Sequence, residues 1–312
     1  MTTLSGVWLP IVTPFHDGHL DLASYERLID HYLGLGISGI FPLSTTGEGP
    51  ALDDDEAEAI VERTIAVVAG RIPVFVGIGG NITAKTLKLM KRLEPYDYPG
   101  IVSVCPYYNR PSQDGLFAHF SAIAAATDRQ VAIYNIPYRT GINLVNDTLF
   151  ALAERPNIVG VKDCCAILAQ SLDLLRRRPP GFAVVTGEDH LFYTMLAHGA
   201  DGGVLASAHL ETRSFVAIHE RMLANDHRAA HRIWSGLETM VPLLFREANP
   251  MPIKYCLWRQ GLLRSPECRL PLTRVSPALA AELDRALELT PPHAMEIPSL
   301  RCRREGPNRV TR

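Results

Sequence analysis

The chain has 312 residues, of which 47% are hydrophobic and 21% charged, and its formal net charge at pH 7 is −2. This composition is typical of a globular protein with a large buried core and excludes extensive disorder. Because the net charge is close to zero and no basic stripe is interleaved with aromatic residues, nucleic acid and anionic membranes are poor candidate partners.

The N-terminal sequence and the cysteines indicate the compartment. The segment MTTLSGVWLP lacks the basic start and the long apolar run of a secretory signal. No run of about eighteen apolar residues, which a membrane-spanning helix would need, occurs in the sequence. The six cysteines are scattered without a C-x-x-C pair, as expected in a reducing compartment. We therefore predict a cytoplasmic protein in which most cysteines are small buried hydrophobic residues.

Short apolar and β-branched runs alternate with longer helical patterns in the first two-thirds of the chain. The eight runs are 7–13, 39–44, 74–79, 101–105, 131–136, 158–162, 182–187 and 202–207. Between them, segments such as 22–36 and 53–70 carry apolar residues at helical spacing and acidic residues in the first turn. Eight parallel strands covered on both faces predict a (β/α)₈ TIM barrel, with an open doubly wound sheet as the alternative.

The remaining third of the chain has no further strand pattern. From about residue 208 the sequence predicts the last barrel helix and roughly three more helices. We therefore divide the chain into a catalytic barrel (1–225), a C-terminal helical extension (226–290) and a tail rich in proline and arginine (291–312). The tail lacks apolar periodicity, so it is expected to be disordered.

Reactive side chains are concentrated at the ends of three predicted strands, where TIM barrels carry their active sites. The second strand leads into the segment 44–49, which reads STTGEG, the fifth contains Tyr134, and the sixth ends in Lys162. Burial at a barrel mouth would lower the pKa of the Lys162 amine and make it a nucleophile. The alternative interpretation is a structural ion pair between Lys162 and Asp163 or Glu188.

Hydroxyl groups near this lysine are candidates for proton transfer and for carboxylate binding. The Tyr134 phenol can both donate and accept a proton, although it could also be a packed barrel aromatic. Thr45 and Thr46 offer hydroxyls and backbone N–H groups in a glycine-containing turn, which suits a carboxylate. Their alternative interpretation is ordinary turn and capping chemistry.

Several motifs in a specific order resemble the dihydrodipicolinate synthase/N-acetylneuraminate lyase family, over roughly residues 6–290. They are GVWLPIVTPF, STTGE, PYYNRPSQDGLFAHF, YNIPYRTG, NIVGVKD, TGEDHLFYTMLAHGADGGVLASA, NPMPIK and RLPLT. The resemblance implies that Lys162 forms a Schiff base with pyruvate, without a metal or organic cofactor. It further implies a proton relay of Tyr134, Thr46 and Tyr108, with Tyr108 supplied by a neighbouring subunit of a homotetramer built as a dimer of dimers.

The same resemblance implies how substrates are held. Thr45 and Thr46 would bind the pyruvate carboxylate, and Arg139 at the mouth would bind the carboxylate of the second substrate, a task suited to a guanidinium. Gly187 and Leu205 would line the pocket with backbone groups. All these partners are small molecules.

The activity that the resemblance implies is that of a Schiff-base lyase that condenses pyruvate with L-aspartate 4-semialdehyde, in lysine and diaminopimelate biosynthesis. The alternative is another pyruvate-dependent aldolase or dehydratase of the family, acting on a sugar acid or a hydroxy-oxo acid; Arg139 favours the first. A non-catalytic barrel that binds a 2-oxo acid would be expected to lose Lys162, Tyr134 or Thr46, and all three are present.

Other candidate sites are weaker. His227 and His231 are four residues apart, but the segment HRAAH is polar and no carboxylate signature accompanies it. The acidic residues 53–55 are explained by the first turn of a helix, where negative charge is stabilised. We therefore predict no metal site.

Overall fold

Strands and helices alternate along the computed structural model, which describes residues 4–289. The strands are β1 (Gly6–Leu9), β2 (Phe15–His16), β3 (His19–Leu20), β4 (Gly39–Ile40), β5 (Phe75–Gly77), β6 (Gly100–Val104), β7 (Gln130–Asn135), β8 (Ile158–Asp163), β9 (Ala183–Thr186) and β10 (Gly202–Val204). The helices are α1 (Leu22–Leu33), α2 (Asp54–Val68), α3 (Thr83–Leu93), α4 (Gln113–Ala125), α5 (Pro137–Thr140), α6 (Asn146–Ala153), α7 (Leu168–Arg177), α8 (Phe192–Ala197), α9 (Ala208–Leu223), α10 (His227–Ser235), α11 (Met240–Leu243), α12 (Met251–Arg259) and α13 (Pro277–Leu289). The predicted tail, 291–312, lies outside the described residues.

Eight of the strands form one parallel sheet that closes on itself. Their order is β4-β1-β10-β9-β8-β7-β6-β5, and a parallel bridge between Ile40 and Val74 joins the two ends. Each of the eight corresponds to one of the predicted apolar runs. The TIM barrel is thus confirmed, and the open doubly wound sheet is excluded.

The barrel interior is a packed core of its own, separate from the larger core between strands and helices. The Trp8 and Phe75 rings meet edge to face inside it, with centroids 4.9 Å apart. Gly39 lies against Trp8 and Gly100 against Phe75, where a Cβ atom would overlap each ring. Small residues on neighbouring strands therefore make room for large aromatic ones, and the barrel is filled rather than hollow.

Helix α2 shows why the acidic run at residues 53–55 is structural. The Asp53 carboxylate accepts a hydrogen bond from Glu56 N at 2.8 Å, and Glu56 Oε2 accepts one from Asp53 N at 3.2 Å. This reciprocal capping box pairs two backbone N–H groups that would otherwise have no partner at the helix start.

The C-terminal extension packs against the barrel through its helices. Among the described residues, four helices follow α9, where the sequence predicted roughly three; the additional one, α11, is a single turn of four residues and too short to show periodicity. Within the extension, the Tyr255 hydroxyl of α12 donates to the Asp284 carboxylate of α13 at 3.1 Å. The segment before α12 brings Asn249 to the barrel mouth.

Candidate active site

The side chains of Lys162 and Tyr134 lie next to each other at the carboxyl ends of β8 and β7. The two residues are directly paired across the strands, so their side chains point to the same face, the barrel interior. Lys162 is 6% exposed, and its Nζ lies 4.2 Å from the centre of the Tyr134 ring and 5.5 Å from that of Phe41. A lysine ammonium is attracted to the faces of aromatic rings at such distances. The neutral amine lacks this attraction and can add to an electrophile.

The alternative of a structural ion pair at Lys162 finds no support in the arrangement of the two carboxylates. Asp163 accepts hydrogen bonds from Ser171 Oγ at 2.5 Å and from Cys165 N at 3.1 Å. Glu188 accepts one from the Tyr138 hydroxyl at 2.7 Å. Burial lowers the pKa of the Lys162 amine, even though the nearby carboxylates oppose that shift. Lys162 therefore has the environment of a nucleophilic amine rather than of a paired ammonium.

Of the two residues that the resemblance assigns to the pocket lining, Gly187 borders the side chain of Lys162, whereas Leu205 contacts β1. A Cβ atom at position 187 would overlap both Lys162 Cε and Cys164 Sγ. The Gly187 amide donates to Asp163 O at 2.9 Å, which fixes this close approach. Leu205 is fully buried, and its amide donates to Trp8 O at 3.0 Å. Glycine at position 187 is thus required for the lysine to extend into the mouth.

The resemblance assigns Thr46 to the proton relay, and the threonine side chain that acts on the Tyr134 phenol, slightly opposing the rise in its pKa, is that of Thr45. Thr46 is 3% exposed, and its Oγ1 instead accepts a hydrogen bond from Asn249 Nδ2 at 2.9 Å. Consecutive residues of a turn point in different directions, so the two threonine hydroxyls have different neighbours. Burial raises the pKa of the Tyr134 phenol well above its ordinary value, so the phenol stays protonated.

The turn that carries both threonines is held by hydrogen bonds and by one buried ion pair. Gly47 N donates to Ser44 Oγ at 3.1 Å, and the Thr13 hydroxyl donates to Gly47 O at 2.6 Å. At the end of the turn, Glu48 forms an ion pair with Lys254 of α12, and both side chains are almost completely buried. The extension therefore helps to shape the mouth of the barrel.

Two predicted site residues are exposed in the single chain. Arg139 lies on the short helix α5 that follows β7. Burial is the main cause of the lowered pKa of Lys162, and the positive charge of Arg139 lowers it further. Tyr108 follows β6 and is 87% exposed, with a φ of +71°. An aromatic side chain so exposed is available to a neighbouring molecule.

Sequence reasoning missed two residues of the site. Cys164 is buried in the barrel-interior core, as predicted for most cysteines, and its Sγ also lies beside Lys162. Its position two residues after Lys162 was a usable signal, because alternate residues of a strand share a face. Asn249 lies 203 residues from its partner Thr46, and no periodic pattern connects the two.

His227 and His231, for which the sequence predicted no metal site, are both exposed on α10. Within residues 4–289, no group of three or more His, Cys, Asp or Glu side chains is arranged to hold a metal ion.

Comparison with known proteins gives one consistent result. The family model described as the Dihydrodipicolinate synthetase family matches residues 3–290. A relative from Clostridium acetobutylicum, named 4-hydroxy-tetrahydrodipicolinate synthase 2, is 48% identical over 284 residues, which cover 91% of this chain and 99% of the relative. A second, from Laribacter hongkongensis and named 4-hydroxy-tetrahydrodipicolinate synthase, is 39% identical over 286 residues, covering 91% and 98%.

Solved structures agree with these relatives. Dihydrodipicolinate synthase from Aquifex aeolicus superposes with a TM-score of 0.89 at 34% identity, covering 92% of this chain and 98% of that one. A chloride-inhibited dihydrodipicolinate synthase from Acinetobacter baumannii, solved in complex with pyruvate, superposes with a TM-score of 0.88 at 33% identity, covering 92% and 98%.

Proposed function

This chain belongs to the dihydrodipicolinate synthetase family, and on that basis we propose that it condenses pyruvate with L-aspartate 4-semialdehyde through a Schiff base on Lys162. The observation that carries the proposal is the buried Lys162 amine at the barrel mouth, whose pKa burial lowers. The names of the relatives support the substrates, and the pyruvate complex of the Acinetobacter baumannii enzyme supports the first of them.

The chemistry follows from the groups around the amine. The Lys162 nitrogen adds to the keto carbon of pyruvate, and the Tyr134 phenol donates the proton with which the carbinolamine hydroxyl leaves as water. The resulting iminium withdraws electrons, so a methyl proton passes to the Tyr134 phenolate and an enamine forms. The enamine carbon attacks the aldehyde carbon, the aldehyde oxygen takes that proton, and the amino group of the semialdehyde then displaces Lys162 from the iminium. Thr45, whose side chain acts on the Tyr134 phenol, passes protons onward, and Thr46 binds the pyruvate carboxylate.

Purified protein supplied with pyruvate and a panel of aldehydes tests this proposal against its alternative. We expect L-aspartate 4-semialdehyde to be consumed with a kcat/KM well above that of sugar-derived aldehydes. Turnover of a sugar acid or hydroxy-oxo acid at a higher kcat/KM would favour the other family activities. Pyruvate consumption without any aldehyde preference would contradict the proposed second substrate.

The pH dependence of imine formation should respond in opposite directions to two charge changes. Glu188 raises and Arg139 lowers the pKa of Lys162, whose net lowering is due first to burial. Glu188→Gln should therefore lower that pKa further and move the acid limb of reductive pyruvate trapping to lower pH. Arg139→Ala should move it to higher pH. The measurement is the rate of cyanoborohydride trapping against pH, with Glu154→Gln, an exposed carboxylate after α6, as the control. Shifts in the same direction would contradict the assignment.

Arg139→Ala should damage use of the semialdehyde far more than use of pyruvate, because only the second substrate's carboxylate needs this guanidinium. Loss of a charge-assisted contact should lower kcat/KM for the semialdehyde by about tenfold to a hundredfold. Steady-state kinetics with each substrate varied in turn provides the measurement. A variant with poor pyruvate trapping at its optimal pH and normal semialdehyde kinetics would show the assigned role to be wrong.

We further propose a homotetramer, built as a dimer of dimers, in which the exposed Tyr108 completes the active site of a neighbouring subunit. Inactive Lys162→Ala and Tyr108→Phe chains, refolded together, should regain activity, because a mixed pair contains one site with both natural residues. Each variant refolded alone is the control. No recovery in a mixture shown to contain mixed pairs would mean that Tyr108 acts within its own chain, or not at all.

For the location of the protein we propose the cytoplasm, and the support comes from the cysteines. The five that the structure describes are all free thiols, and four of them are buried. Free thiols are the state that a reducing compartment maintains. Separately, none of the helices in the described part of the chain is long and apolar enough to cross a membrane.

A further inference from the structure

We propose that Asn249, from the C-terminal extension, is a positioning residue that directs the Thr46 hydroxyl proton toward the carboxylate of the bound 2-oxo acid. This inference deepens the proposed function and rests on it. It assigns to the extension a part in recognising the first substrate, which the barrel motifs alone do not supply.

The hydrogen bond between the two side chains sets the direction of the proton. Asn249 Nδ2 lies 2.9 Å from Thr46 Oγ1, and both residues are buried, at 9% and 3% exposure. An amide NH₂ group only donates, so Thr46 Oγ1 is the acceptor in this bond. The single hydroxyl proton of Thr46 must then be donated to another acceptor. A carboxylate in the mouth is such an acceptor, and an O–H bond to a charged oxygen is a strong one.

The Oδ1 atom of Asn249 indicates that this side chain does more than link two parts of the structure. Its Oδ1 is buried and has no hydrogen-bond partner among the described residues. Buried polar atoms without partners are uncommon in folded proteins and are costly, because they have lost their bonds to water. An amide kept only for stability would be expected to have both ends paired.

Further contacts hold Asn249 against the threonine turn. Lys254 lies in the first turn of α12, five residues after Asn249. Its ammonium binds Glu48 at the end of the turn and Glu267 O at 2.7 Å. The second Glu48 oxygen accepts a hydrogen bond from Arg269 N at 2.8 Å. The extension thus binds the turn at Glu48, two residues beyond Thr46, while Asn249 contacts Thr46 itself. Such support from outside the contacting residues is what keeps a binding group in its productive orientation.

The test compares Asn249→Ala and Asn249→Asp with wild type, and uses Thr46→Val to remove the hydroxyl. In Asn249→Ala the hydroxyl is free to rotate, so we expect KM for pyruvate to rise about tenfold with a smaller change in kcat. In Asn249→Asp the new carboxylate accepts the Thr46 proton and repels the substrate, so the rise should be larger. In the Thr46→Val background, Asn249→Ala should change KM less than about twofold, because its effect acts through Thr46.

The matched control is Asn157→Ala. Asn157 also uses its side-chain amide, donating to Ala124 O at 2.9 Å and Thr127 O at 2.8 Å, but it precedes β8 and so lies at the opposite end of the barrel. It should lose stability in urea without a change in KM. Borohydride labelling of wild type with pyruvate is the reference. A labelled wild type with unchanged KM in Asn249→Ala, or full additivity with Thr46→Val, would overturn this inference alone. An unlabelled wild type would overturn the proposed function and this inference with it.

Discussion

Replacing Lys162 by alanine is expected to abolish condensation while the protein remains folded. The amine is the covalent nucleophile of the proposed reaction, and removal of such a group reduces kcat by about 10⁴-fold or more. The barrel core is formed by the strand residues around the lysine, and within residues 4–289 the carboxylates of Asp163 and Glu188 have hydrogen-bond partners other than Lys162. Burying a lysine is itself costly, so the variant should be at least as stable as wild type.

The measurements are the condensation rate and urea denaturation of the same preparation. Lys162→Arg is the matched control: it keeps a positive charge at this position but provides no amine that can form an imine at neutral pH. We expect it to be as inactive as the alanine variant. Activity within about tenfold of wild type in Lys162→Ala, in protein free of host enzyme, would contradict the nucleophile assignment.

Removing the buried ion pair between Lys254 and Glu48 should have the largest effect on stability. Both side chains are almost completely buried, and the Lys254 ammonium lies 4.3 Å from the centre of the Phe15 ring. Lys254→Met keeps the volume of the side chain but leaves the Glu48 carboxylate buried without its counter-ion. Breaking such a pair from one side costs about 3–5 kcal/mol of the free energy of unfolding.

Urea denaturation measures this loss of stability, which is compared with that of two further variants. The double variant Glu48→Gln with Lys254→Met removes both charges, so we expect it to be more stable than Lys254→Met alone. Lys88→Met, which breaks an exposed pair with Asp54, should cost less than about 1 kcal/mol. If Lys254→Met lost no more stability than Lys88→Met, the turn would not depend on the pair. Because Glu48 ends the threonine turn, we also expect KM for pyruvate to rise in Lys254→Met.

The barrel could be predicted from the sequence because parallel strands covered on both faces appear as continuous apolar runs. The position of Lys162 followed for the same reason, since it ends one such run and shares a face with Tyr134. A smaller element was missed although its signal was present. Asp17 and Gly18 both have positive φ, at 51° and 80°, and Asp-Gly is the typical turn of the two-residue hairpin between β2 and β3.

The threonine turn was harder to predict in detail, because it has no period that assigns each side chain to a face. Whether Thr45 or Thr46 contacts Tyr134 depends on how the turn is held. The threonine turn is held by Lys254 and Asn249, which lie more than two hundred residues further along the chain. Contacts of this range leave no local pattern, so the different neighbours of the two threonines and the contacts made by the extension could be found only from the structure.

Reductive trapping tests the central claim most directly. Wild-type protein would be incubated with pyruvate and sodium borohydride, digested, and mapped by mass spectrometry. Because an iminium is reduced to a stable secondary amine and a salt-bridged ammonium is not, we expect one reduced pyruvyl group on the peptide that contains Lys162, together with loss of activity. The controls are wild type without pyruvate and the Lys162→Ala variant with pyruvate, and neither should be labelled. A label on another lysine, or an enzyme that turns over but is never labelled, would contradict the assignment of Lys162.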